Sequence, residues 1–306
     1  MSQAQSLDSV YFTSSGTEAT EGAMKLAKRY TGRTEFISMF NAYHGSTQGA
    51  MSLNSDTYFT QAFRPLLPDI RHITYNNKAD LLKITEKTAA VFVETIQGEA
   101  GIMPSTEGYL KTLRQRCTET GTLLILDEIQ AGMGRTGTLW GFEHYDIVPD
   151  ILLLAKGLGG GMPIGAFIAS KTIMQMLTDD PILGHITTFG GHPVSCAAGY
   201  ATLKILVETD LIAQAEKKGN LFKKLLVHPQ IKAVRQIGLW LAVELDNFDI
   251  LQEVIQICLK NGLLTDWFLF NNRSLRIAPP LIITENEIKW ACETILKALD
   301  EIDVRQ

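Results

Sequence analysis

Short aliphatic runs alternate with stretches of helical periodicity over the first two thirds of this chain, and that alternation restricts its fold more than any other feature. Val10–Phe12, Glu35–Met39, Ala90–Glu94, Leu123–Leu126, Ile151–Leu154 and Ile164–Ala169 are β-branched or aliphatic-rich and bounded by Gly, Pro or polar residues, as strands are. Between them, "GTEATEGAMKLAKRY" and "EGYLKTLRQRCTETG" carry apolar residues at helical spacing, and the second is predicted to stop at Gly121. Several strands are apolar on both faces. The pattern therefore predicts an α/β fold, a mostly parallel sheet flanked by helices on both sides.

After about Pro193 the pattern changes. Helical segments at roughly 194–208, 211–226 and 249–261 surround a strand-like "VRQIGLWLAVEL", and "SLRIAP" precedes a closing helix from about Thr284. We expect a large α/β domain over 1–195 and a smaller α+β domain over 196–306. A length of 306 residues suits about two domains, and neither a repeat nor a low-complexity linker separates them.

Several function classes fall away on composition. The formal net charge is −5 and no basic cluster occurs, which argues against a nucleic-acid partner. No apolar run approaches the ~18–20 residues that span a bilayer, so no membrane partner is expected. "MSQAQSLDSVYF" has neither a positive n-region nor an apolar h-region, so no signal peptide is visible. Cys117, Cys196, Cys258 and Cys292 lie far apart without a CxxC pair. They read as reduced thiols in a cytoplasmic protein, with no disulfide frame and no metal site.

In open α/β sheets ligands sit beyond the carboxyl ends of the strands. Strand Leu123–Leu126 ends in "DEIQ", with Asp127 at the rim, and Ile151–Leu154 leads to Lys156 before a run of glycines. An acid and a lysine thus project toward one edge. Alone, they are equally well a structural ion pair, or a lysine capping its strand with the ammonium in water. "VYFTSSGTEATEG" runs from a strand through Ser15, Gly16 and Thr17 into a helix, whose free N–H groups and dipole suit a phosphate, although the same residues make an ordinary N-cap. A phosphate cradle, an acid and a lysine on one rim are stronger together than any one of them. Two rival motifs fail. Gly132, Gly134 and Gly137 fit GxGxxG, but "RTGTLWGFEHYD" opens no convincing helix; and "LLILDE" lacks a companion GxxxxGK[ST].

With these residues assembled, the sequence resembles the class III, ornithine/acetylornithine-type aminotransferases, which use pyridoxal 5′-phosphate. The matching stretches are "SSGTEATEGAMKLAKRYTGR", "AYHGST", "VETIQGEAG", "LLILDEIQAGMGRTG", "PDILLLAKGLGGGMPIGA", "TTFGGHP" and "LRIAPPLIIT", in the family's order along essentially the whole chain. The resemblance implies fold type I and a homodimer with shared active sites. It makes Lys156 the lysine that forms a Schiff base with the cofactor aldehyde, and Asp127 the carboxylate facing the pyridine nitrogen. Ser15, Gly16 and Thr17 fall at the phosphate, Tyr43 on the ring with His44 beside it, and Ile129 and Gln130 around the cofactor. Thr188 matches a threonine that reaches the neighbouring subunit's phosphate. Arg276 matches the arginine that holds a substrate carboxylate, and Glu99 the glutamate that pairs with it otherwise; read without the resemblance, both are plain surface charges.

The implied activity moves an amino group from an amino acid or ω-amino donor to a keto acid, 2-oxoglutarate by expectation. Another reaction on the same scaffold (decarboxylation, epimerisation, intramolecular amine transfer) or a catalytically silent fragment are the alternatives. Transfer of an amino group to added 2-oxoglutarate separates them. Two residues depart from the pattern: Ser46 stands where ornithine-type enzymes carry an arginine, and His192 where "FGGNP" is usual. Family members also carry a substantial segment ahead of the strand that here begins at Val10, so the chain is expected to lack the family's N-terminal segment.

Overall fold

Three aliphatic strands buried from end to end, side by side and parallel, form the middle of the molecule's main sheet, as a strand covered by helices on both faces must. The computed structural model describes residues 7–303, so the first six residues of the stretch read for a signal peptide lie outside them. In chain order the strands are β1 (Ser9–Thr13), β2 (Glu35–Met39), β3 (Ile70–Ile73), β4 (Thr88–Glu94), β5 (Ile96–Gln97), β6 (Met103–Pro104), β7 (Leu123–Asp127), β8 (Ile151–Leu154), β9 (Gly165–Ala169), β10 (Ala233–Ile237), β11 (Trp240–Glu244), β12 (Asp266–Phe268) and β13 (Asn271–Ile277). The main sheet has seven of them in the order β1-β9-β8-β7-β4-β2-β3. Pairs from β8 to β3 are parallel, and β9 runs antiparallel to both its neighbours.

The period of two sorts each strand onto two cores. Phe36, Phe92, Ile125 and Leu153 pack with Ala23, Met24 and Leu26 of the helix Gly16–Thr31. Val93, Leu126 and Leu154 pack on the other face with Leu113 of the helix Tyr109–Thr120 and with Phe142. The second helix ends at Gly121 as its sequence predicts, and the first ends in the same way. Gly32 and Gly121 adopt the left-handed conformation at φ 69° and 63° and return their N–H groups to the last turn.

The chain divides into two compact units. The first comprises the chain up to Ile96, Ser105–Met133 and Trp140–Ile205; the second comprises Gln97–Pro104, Gly134–Leu139 and the chain from Leu206. The single boundary expected at 195/196 therefore differs from the compact units. The helix Pro193–Glu208 falls mostly in the first, and two short excursions that no linear reading separates belong to the second. In the second unit an antiparallel sheet ordered β10-β11-β13-β12 carries the helices Leu211–Leu225, Phe248–Lys260 and Glu285–Asp303. "VRQIGLWLAVEL", expected as one strand, is a hairpin. Gly238, at φ 53°, turns the chain between β10 and β11.

Candidate active site

The carboxyl ends of the parallel strands, the N-terminus of the helix Gly16–Thr31 and the loop after β2 surround a cavity of about 380 Å3 in the first unit. Ser15, Gly16, Thr17, Tyr43, His44, Asp127, Ile129, Gln130 and Lys156, nine of the residues singled out in the sequence, all line it.

Asp127 is the last residue of β7, 4% exposed. It continues the face of Leu123 and Ile125, which carries the helix Gly16–Thr31. Its Oδ1 accepts the Ile129 amide at 3.0 Å, and its Oδ2 lies 2.8 Å from His44 Nδ1. Both oxygens are therefore fixed. His44 is itself buried. Burial alone would lower its pKa, but the hydrogen bond and charge of Asp127, with the charge of Glu94, outweigh it and leave the imidazole's pKa raised. His44 thus stands beside the acid as its brace, on a loop pinned by three further bonds. Its N–H donates to Asn54 Oδ1 at 3.2 Å, its carbonyl accepts Thr20 Oγ1 at 2.8 Å, and the preceding Tyr43 N–H donates to Glu94 Oε1 at 3.1 Å.

Glu94 is the residue the sequence reading missed. It pairs in register with Asp127 across β4 and β7, is 4% exposed and lines the cavity. The signal was present, since "VETIQ" ends its strand in an acid as "DEIQ" does.

Lys156 follows β8, which is parallel to β7 with Asp127 opposite Leu153. Its backbone is left-handed, at φ 45°. A non-glycine residue held there is strained by order 1–3 kcal/mol, and such strain persists where the surroundings over-determine a functional geometry. At the helix N-terminus Ser15 Oγ accepts the Glu18 amide at 3.3 Å, and Glu18 Oε2 accepts the Ser14 amide at 2.7 Å. The amides of Gly16 and Thr17 have no carbonyl within the helix to bond and, with the dipole, favour an anion. Gly16 lies close to its neighbours there. A Cβ would stand 2.8 Å from Ile129 Cδ1 and 3.3 Å from Ala155 Cβ.

The remaining candidates lie elsewhere. Thr188 is exposed and lines a second hollow of the first unit with Thr13, Ser14 and Glu18. Glu99 and Arg276 meet in the second unit, where Arg276 Nη2 donates to Glu99 Oε2 at 2.6 Å and to the Trp267 carbonyl at 3.0 Å. Asp266 Oδ1 lies 3.2 Å from Arg276 Nε without hydrogen-bond alignment, and the guanidinium sits 4.6 Å from the centre of the Phe268 ring. Glu99 is 5% exposed and also accepts the Leu269 amide at 3.1 Å, so this is no plain surface pair.

A lysine and a buried acid on neighbouring strands, facing a phosphate-type cradle, are equipped to hold a phosphorylated aromatic aldehyde and to move protons on whatever joins it. Comparison with known proteins points the same way. The family model for "Aminotransferase class-III" matches residues 1–299. Among curated relatives, the mitochondrial acetylornithine aminotransferase of Alnus glutinosa is 39% identical over 312 residues, covering 97% of this chain and 68% of that protein. Among solved structures, the ornithine aminotransferase of Toxoplasma gondii, crystallised with partial occupancy of PLP at its active site, superposes with a TM-score of 0.90 at 34% identity, over 98% of this chain and 73% of that one. A transaminase from the marine bacterium Virgibacillus gives 0.91 at 28% identity, over 98% and 76%.

Proposed function

The chain belongs to the class-III aminotransferases, pyridoxal-phosphate-dependent transaminases of fold type I, and we propose that it takes amino groups from an amino acid or ω-amino donor and passes them to 2-oxoglutarate. The observation that carries this reading is the placement of Lys156 and Asp127 at the ends of adjacent parallel strands, lining one cavity with the free amides of Gly16 and Thr17.

The cavity fits the cofactor. A Cβ at position 16 would press on Ile129, which lines the cavity, and the buried acid has both oxygens already oriented. When bound, pyridoxal phosphate supplies the electron sink for the carbanion at the substrate carbon. The protein does the rest. Asp127 would hold a proton on the ring nitrogen; a pair of opposite charges at ~4 Å and an effective dielectric of ~20 is worth a few kcal/mol. Lys156, which lines the same cavity, would be the residue that holds the cofactor's aldehyde group and its amine the base that moves the proton of the donor. Tyr43 covers the ring, Gln130 and Ile129 border it, and Gly16 and Thr17 hold the phosphate.

Donor choice follows from the lining. Lys156 is the one lysine or arginine among the described residues around the cavity, and Tyr43 OH and Ser46 Oγ, 2.8 Å apart, offer a neutral pair. A donor's α-carboxylate therefore gains little here, and terminal amines serve at least as well as α-amino acids. For the keto acid we assign Arg276, released from Glu99. We further propose a homodimer in which Thr188 serves the partner's cofactor, and a reducing, cytoplasmic setting in keeping with four unpaired cysteines.

The deciding experiment is an absorption spectrum of the purified chain with added cofactor, followed by amino transfer from a panel of amines to 2-oxoglutarate. A visible band and glutamate formation, both lost in Lys156→Ala, are the expected result. Loss of a positioned acid–base group alone costs ~10²–10⁴-fold. Turnover by Lys156→Ala at the wild-type rate would mean that another lysine does the chemistry.

A further inference from the structure

Directly after Asp127 stands a second carboxylate that the reaction described above does not use. Glu128 is 1% exposed. The strand's period of two turns it away from the cofactor, onto the sheet face that carries Phe142 and Tyr145. There both of its oxygens are engaged by donors from other segments. Oε1 accepts Thr95 Oγ1 at 2.7 Å, and Oε2 accepts the Gly141 amide at 2.7 Å. Its own backbone joins two more, the N–H donating to Leu153 of β8 at 3.0 Å and the carbonyl accepting Gly132 N–H at 2.9 Å.

Those partners are the supports of the site. Thr95 lies between Glu94 and Ile96, both of which line the cavity, and Leu153 belongs to the strand that ends two residues before Lys156. Gly141 opens the short helical turn Gly141–Tyr145. A Cβ at that position would meet Thr95 Oγ1 at 2.8 Å and Glu128 Oε2 at 3.0 Å, so the close approach admits glycine only. A bare carboxylate buried at this depth is costly unless its lone pairs are met, and here they are met by groups whose positions matter to the chemistry.

We propose that Glu128 is a positioning residue. Its carboxylate clamps the end of β4 to the turn at Gly141 from behind the sheet, and so fixes where Glu94, Asp127 and Gln130 are presented to cofactor and substrate. The proposal rests on the cofactor occupying the cavity described above. The clamp is nevertheless measurable in cofactor-free protein, which keeps the two ideas separable.

Three variants test it, each examined by amide hydrogen exchange without cofactor and by binding and absorbance with pyridoxal phosphate. Glu128→Ala removes both arms. The Gly141 and Phe142 amides should then exchange at least tenfold faster, and cofactor affinity should fall by about 10- to 100-fold, the usual worth of a charge-assisted hydrogen bond. Glu128→Gln keeps the shape. Its amide oxygen still accepts from Gly141, and the Thr95 hydroxyl rotates to accept from the amide NH2, so exchange and most of the affinity should return toward wild type. Thr95→Val cuts one arm without changing volume and gives an intermediate result; it decides the matter if Glu128→Ala does not fold. Wild-type exchange in Glu128→Ala overturns the clamp. Faster exchange with unchanged cofactor affinity and absorbance overturns its role in positioning. A wild-type protein that shows no cofactor band sinks the site reading itself, which the exchange data do not depend on.

Discussion

At the scale of single residues, two adjacent carboxylates meet opposite fates. Asp127 is bonded to His44 and lines the cavity, whereas burial pushes Glu128 up to about 7, against the pull of its bonds from Thr95, Gly141 and Phe142 and with the charge of Asp127 adding to the rise. Asp127→Asn should leave the fold intact and slow proton abstraction by about 10²-fold or more, the typical cost of losing a preorganised electrostatic partner. Single turnover with a deuterated donor reads that step directly, and an unchanged rate would make the acid structural. Glu128 supplies a pH prediction. Because its folded pKa lies above the ordinary carboxylate value, the folded state holds the extra proton between about 4.5 and 7. The stability it contributes is present below that window and is lost as pH rises through it. Titrating the unfolding midpoint of the cofactor-free chain should show this decline, and Glu128→Gln should flatten it. Lys156 and Asp127 were legible in the sequence because each follows an unbroken aliphatic run. Glu94 ends such a run too, but its place beside Asp127 comes from the register of β4 on β7, and the role of Glu128 depends on which face its side chain takes; neither relation is written along one strand.

At the scale of elements, what could be read was what is buried on both faces. The strands at 123–126 and 151–154 announce themselves as solid apolar runs, whereas β3, "IRHI", is an edge strand with only Ile73 fully buried and looks like loop. β12 has three residues, too few to show a period. The helix that matters most to the site, Gly16–Thr31, was legible at its start, from Ser15, Gly16 and Thr17, while its end at Gly32 was not read. Its N-terminus supports a further prediction. Gly16→Ala would push a methyl group to 2.8 Å from Ile129 Cδ1; that side-chain end can move, so the protein should fold. The displaced cradle should lose most of the helix-terminus contribution to anion binding, up to ~2 kcal/mol or about 30-fold. Comparing pyridoxal phosphate with pyridoxal isolates the effect. The variant should weaken the phosphorylated ligand and leave the other nearly unchanged, and equal losses for both would place the phosphate elsewhere.

At the scale of the whole molecule, the surface of the first unit carries a run of exposed apolar side chains. Within the stretch 182–200, Ile182, Leu183, Ile186, Phe189 and Tyr200 are each about two-thirds exposed or more, at 81%, 69%, 71%, 66% and 69%, with Thr188 among them. Scattered apolar residues need no explanation, but a run of this kind on one segment marks a surface that meets another protein. A second copy is the partner the proposed dimer requires, and a closed twofold contact would bring each copy's Thr188 to the other. Ile186→Glu places a charge in that surface. In the proposed dimer it must be buried unpaired, at a cost large enough to dissociate most pairs. Sedimentation should therefore show wild-type dimer and variant monomer, with far-UV circular dichroism unchanged because Ile186 is 71% exposed in the isolated chain. Cofactor affinity should fall in the monomer, since each site then lacks the partner's threonine. Thr188→Ala supplies the control. It should weaken the cofactor by a smaller factor while the chain remains dimeric. If Ile186→Glu yields a monomer that binds cofactor as tightly as the wild type, the sites are self-contained, and the apolar segment serves assembly without serving catalysis.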